Sequence, residues 1–171
     1  MRAKVFICIV GIFIIILLQT TLLDYIRIND IKPNLILVYI VCSSILEGSA
    51  GGAAIGLFAG LVHDIVSGKI MGFYSILGMY LGAITGLSSR RLYKDNVIVV
   101  VLFTFALTIV FESGVYLLSG FGSLRPRLLF ALKRIVFPEA LYNSAFSVLI
   151  HYIVAKVNRR FDFEGKATRR Y

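Results

Sequence analysis

The chain has 171 residues, 58% of them hydrophobic and only 16% charged, with a mean hydropathy of +0.88. So large an apolar share exceeds what one soluble core of this size can hide, which excludes a water-soluble globular domain and makes lipid the solvent. A net charge of +9 raises nucleic acid as a partner, but the positive-inside rule and anionic lipid headgroups account for it, so no nucleic acid is expected.

Arg2 and Lys4 precede an uncharged run of 19 residues, Val5–Leu23, close to the roughly 20 needed to span a bilayer. Its length, and the lack of a small-x-small site after it, read as a first span and not as a signal peptide. Gln19 and Thr20 near its end can hydrogen-bond to a neighbouring helix. A mixed-charge loop with Asp24, Arg27, Asp30 and Lys32 follows, and Pro33 suits the first position of a helix. The next uncharged runs are short, 14 residues over Pro33–Leu46 and 15 over Gly48–Val62, with Glu47 between them. They read as two short spans in a hairpin around Glu47–Gly51, or as one long helix with a buried glutamate.

Three further spans are clearer: Ile70–Ser89, Asn96 to about Gly120, and Ile135–Ala155. Basic residues at both chain ends place both termini in the cytoplasm, which requires an even number of spans. The 33–66 region must then contribute two, giving six transmembrane helices over residues 1–158 and a basic cytoplasmic tail over 159–171. Eleven Lys and Arg fall inside and seven outside. The basic, amphipathic loop 121–134 lies along the outer surface and offers Arg125, Arg127, Lys133 and Arg134.

Glycines recur at every fourth position in GSAGGAAIGLFAGLVHD, residues 48–64: Gly48, Gly52, Gly56 and Gly60. A second strip follows at Gly78, Gly82 and Gly86. Residues four apart share one helix face. Small residues on that face let two membrane helices approach closely, so the strips read as packing surfaces of a tight helical pair.

Ionisable groups at membrane depth are functional candidates. The topology puts Asp64 at the outer end of the third span, Glu112 in the outer half of the fifth, and Glu139 in the first turn of the sixth. Asn143 lies one turn deeper on the same face as Glu139. Asp64, Glu112, Glu139 and Asn143 therefore converge in the outer half, either as a site for a ligand or partner or as structural helix-end contacts. Cys8 and Cys42 lie in apolar runs, and there is no metal spacing, P-loop, GxSxG or HExxH. No enzyme activity, metal or cofactor is expected.

Three stretches carry a resemblance. Residues 56–86, GLFAGLVHDIVSGKIMGFYSILGMYLGAITG, resemble the central signature of the rod shape-determining protein MreD family: a glycine-spaced helix, an Asp, a Ser/Thr-Gly turn, a further Gly and a second glycine-spaced helix. The run Pro138-Glu-Ala-Leu-Tyr-Asn143 resembles the family's carboxyl-proximal Pro…Asn element, and Lys32-Pro-Asn-Leu-Ile-Leu37 the start of its second helix. The turn reads Ser-Gly-Lys-Ile-Met-Gly, where a Pro-Leu-Gly ending is more usual.

The resemblance implies an integral, non-enzymatic subunit of the bacterial elongation machinery in the inner (plasma) membrane. Its implied partner is MreC, with actin-like MreB and the peptidoglycan synthases in the same complex. It also implies a six-helix fold similar to the substrate-binding subunits of energy-coupling-factor vitamin transporters. That similarity supplies a second reading, a small-molecule-binding subunit with Asp64, Glu112 and Glu139 as its site. A third is a proton- or ion-coupled carrier using the same acids.

Overall fold

Eleven consecutive residues from Leu35 to Ile45 are buried, so the helix they form has no lipid-facing side. A helix that is apolar all round belongs inside a bundle, and the others pack about this one. The computed structural model describes residues 2–21, 23, 25, 31–68, 71–89, 96–119, 130 and 132–167. Among these residues every regular element is helical. The helices are α1 (Arg2–Thr21), α2 (Leu35–Ser67), α3 (Phe73–Ser88), α4 (Val97–Ser119) and α5 (Phe137–Ala167), the last entered through a π-helical turn at Leu132–Val136.

α2 is not one straight rod. Gly48 sits inside it at φ 80° and ψ −173°, a left-handed φ that residues with a Cβ rarely adopt. In a straight helix Ile36 and His63 would stand about 40 Å apart; here both line the same cavities. A Cβ placed on Gly52 would lie 2.6 Å from the Ser44 hydroxyl oxygen, eight residues back. The chain therefore reverses at Gly48, and α2 is a hairpin of two antiparallel limbs, 35–47 and 49–67. These limbs rise roughly 20 and 28 Å, so the amino limb is short for a bilayer core about 30 Å thick.

With α2 counted as two limbs, the described residues form six α-helical segments that alternate in direction. Ile7 and Cys8 of α1 share a cavity with Glu47, Val154 and Asn158, so the amino end of α1 and the distal part of α5 lie at the Gly48 end. Gln19, Asn34, Asp64, Glu112 and Glu139 gather at the opposite end. Among the described residues, three helices qualify as membrane spans by length and composition: Leu35–Ser67, Val97–Leu118 and Leu132–Arg160. Val5–Thr21 and Phe73–Ser88 are shorter apolar helices.

Two boundaries differ from the sequence-based expectation. α3 starts at Phe73 rather than Ile70, because Gly72, at φ 91°, is its left-handed cap and donates its N–H to Asp64. α5 runs on to Ala167, through the basic stretch expected to be a separate tail, because residues 156–164 contain no proline or glycine to end it.

Two seams hold the helices. The carboxyl limb of α2 and α3 meet backbone to backbone. A Cβ on Gly52 would lie 2.5 Å from the Gly82 carbonyl oxygen, and one on Gly78 would lie 2.6 Å from that of Gly56. Gly60 abuts Tyr74 and Ser75, and Gly86 abuts Gly48. No side chain fits between such pairs, and close approach of this kind stabilises helix pairs where lipid removes the hydrophobic drive. α4 and α5 meet through small polar residues instead: Thr104 and Thr108 against Asn143, Ser144 and Ser147, all buried. The hydroxyls of Thr108 and Ser144 donate to the carbonyls four residues earlier, at 2.8 and 2.7 Å, and so bring no unmet donor into the seam.

Candidate functional site

The polar end is built from helix ends whose backbone groups need partners. The first N–H groups of a helix have no partner within it. At the start of α2 two of them are met by side chains: the Asn34 Oδ1 accepts from the Leu37 N–H at 3.1 Å, and the Gln19 Oε1 of α1 accepts from the Leu35 N–H at 2.8 Å. The Gln19 Nε2 donates to the Pro33 carbonyl at 3.1 Å, so one amide clamps both sides of the α2 start.

Asn34 then reaches across the bundle. Its Nδ2 donates to Glu112 Oε1 on α4 at 3.1 Å, and its backbone N–H donates to Asn143 Oδ1 on α5 at 2.7 Å. The Asn143 Nδ2 donates to the Thr108 hydroxyl at 3.3 Å. The Glu112 and Glu139 carboxyl groups lie beside each other. The network thus joins α1, α2, α4 and α5.

Asp64 forms a second latch. Its carboxylate accepts N–H donation from Gly72, Tyr74 and Ser75 at 3.0 Å each, and the Ser75 hydroxyl at 2.7 Å. These donors belong to the start of α3, where an anion is also favoured by the helix dipole. Gly68, at φ 61°, closes α2 by donating its N–H to the Asp64 carbonyl at 3.1 Å. One residue therefore holds both sides of the α2–α3 turn, and its four hydrogen bonds match the acceptor capacity of a carboxylate.

Tyr74 stands between the two latches. It lies within electrostatic reach of Asp64, Glu112 and Glu139, and its ring packs edge-on against His63 at 4.4 Å between centroids. The cavity bounded by Asn34, Leu37, His63, Tyr74 and Phe111 measures about 10 Å³, at the lower limit for a single water. A second cavity of about 260 Å³ opens on the α1 side, between Gln19, Lys32, Ile36, His63 and Ser67.

Glu112, Glu139 and Asn143 are therefore brought together, while Asp64 faces its own turn. All seven glycines of the two strips lie along the α2–α3 contact, Gly48 at its bend. Lys133 and Arg134 are exposed on the π-helical turn, and the Arg134 guanidinium lies 5.6 Å from the Phe130 ring centre. Arg125 and Arg127 lie outside the described residues. Asn34 and the Thr104/Thr108 face were not among the residues singled out from the sequence. Asn34 carries a signal, an Asn directly before an apolar helical run. The threonines carry only their spacing of four.

The three stretches 32–37, 56–86 and 138–143 thus supply the Asp64 latch, the Asn34 and Asn143 arms of the first network and most of the glycine seam. The family profile described as rod shape-determining protein MreD matches residues 1–161. The chain belongs to the MreD family. Membership makes it a membrane protein with a role in rod shape determination, within a structural family that is not known for enzymes. MreD belongs to the MreBCD rod-shape system. Among curated proteins and among solved structures, none matches the chain.

Proposed function

We propose that this MreD-family protein is a non-enzymatic scaffold that spans the inner membrane six times, with both termini in the cytoplasm. It binds an MreC-type single-span partner and helps organise lateral peptidoglycan synthesis by MreB-associated synthases. One observation carries the scaffold reading: Asn34, Glu112, Asn143 and Thr108 are engaged with one another, and the cavity beside them measures only about 10 Å³. A carrier or a vitamin-binding subunit needs room for its ligand, of order 300 Å³ or more for a drug-sized molecule.

The partner contacts follow from the same physics. Most of the affinity comes from helix packing in the membrane. The basic residues Arg125, Arg127, Lys133 and Arg134 add little each, since exposed ion pairs contribute about 0–1 kcal/mol. Reversing those four charges should weaken capture of MreC modestly, and Gly56→Leu should abolish it. The experiment is a pull-down of MreC from membranes with cell shape scored after depletion, which should round up a rod-shaped host. A protein that never captures MreC, yet retains a stoichiometric small molecule through purification, would favour the transporter-subunit reading.

A further inference from the structure

We infer that the groove between the start of α4 and the distal half of α5 binds one anionic glycerophospholipid from the leaflet at the Gly48 end. The groove encloses about 850 Å³, within the range of small-molecule sites. Its floor is mostly apolar, with Val97 from α4 and Ala145, Val148, Leu149 and Ala155 from α5, and His151 the one polar exception. Tyr152 follows, and then three cations on the same face, Lys156, Arg159 and Arg160. The Lys156 ammonium lies 5.9 Å from the centre of the Tyr152 ring.

The dimensions match a lipid and not a peptide. From Ala145 to Ala155 the helix rises about 15 Å, which is half of a hydrocarbon core about 30 Å thick. An acyl chain laid along it would place its headgroup at the cations. The α4–α5 register fixes that level independently. Asn143 pairs with Thr108, and Glu112 lies beside Glu139. Continued in antiparallel register, these pairs set Val97 beside Val154. Asn96 caps α4 there by accepting the Ile98 N–H at 3.0 Å, so Arg159 and Arg160 project roughly 8 Å past the start of α4. The groove is therefore largely apolar to the depth of one leaflet, with His151 and Tyr152 near its outer end, and cationic just beyond it. Three cations near a membrane surface favour an anionic headgroup over a zwitterionic one by ~10-fold or more.

The chain contains no tryptophan, so Tyr152→Trp places a single probe in the groove. The full-length protein would be reconstituted in phosphatidylcholine vesicles and titrated with phosphatidylglycerol or phosphatidylcholine carrying brominated acyl chains. Brominated phosphatidylglycerol should reach half-maximal quenching at ~10-fold lower mole fraction. Adding Lys156→Gln, Arg159→Gln and Arg160→Gln should erase that preference, while Lys133→Gln with Arg134→Gln should preserve it. Soluble glycerol phosphate should not relieve the quenching.

Equal quenching by the two lipids would overturn the proposal, and so would a preference that survives loss of the three cations. Absence of quenching by either lipid would assign the groove to another occupant, a segment of this chain or a partner helix. The two-lipid comparison in the Tyr152→Trp protein removes no charge, so it decides the matter even if the triple variant does not fold.

Discussion

At Asp64 one carboxylate meets three backbone N–H groups and a hydroxyl while almost wholly buried. Asp64→Ala strands those donors, and a buried unsatisfied donor costs about 1–3 kcal/mol. Thermal unfolding in detergent should show a loss of roughly 3 kcal/mol or more, against about 1 kcal/mol for Ser75→Ala, which leaves the backbone bonds in place. Equal losses would mean that the turn is held by something else. Glu112→Gln is the opposite case. The amide keeps an oxygen for Asn34 and supplies a donor to Glu139, so stability should change by less than about 1 kcal/mol and cell shape should persist. Glu112→Leu strands both neighbours and should cost about 1–3 kcal/mol. Loss of function in a stable Glu112→Gln protein would point instead to a carrier that needs the ionisable group.

The glycine seam gives the sharpest contrast at the level of elements. Gly56→Leu pushes a side chain into the Gly78 backbone and should unfold the pair or shift its melting markedly, whereas exposed Leu61→Ile should be nearly silent. Gly48→Ala meets no neighbour, yet its φ of 80° should cost about 1–2 kcal/mol. A Gly48→Ala protein as stable as its parent would show that the bend tolerates a second conformation. The glycine strips were legible because fourfold spacing of a residue that weakens helices in water has few other uses in a membrane. Serine and threonine faces such as Thr104/Thr108 were not legible, since such residues can donate to the preceding turn, as Thr108 does, anywhere on an apolar helix. The convergence of Glu112, Glu139 and Asn143 could be approached from span direction alone. That Asp64 faces its own turn depends on helix-end geometry, which no span count encodes.

For the whole molecule, orientation is the prediction that everything else rests on. In a background without Cys8 and Cys42, Lys133→Cys should react in intact cells with a membrane-impermeant thiol reagent, and Arg160→Cys only after lysis. The reverse pattern would invert the topology and move the lipid groove to the other leaflet. The amino limb of α2 has a further consequence, one of timing. Its neighbours include α4 and α5, and some of these, such as Phe146, are translated about 100 residues after Ile45. At about 5–20 residues per second, an apolar limb only 20 Å long waits some 5–20 s for the partners that will enclose it. During that interval it depends on the insertion machinery or on lipid for cover. A chain cut after Ser89 leaves that wait unended, so it should be cleared by membrane proteases far faster than the full chain, as pulse-chase labelling would record.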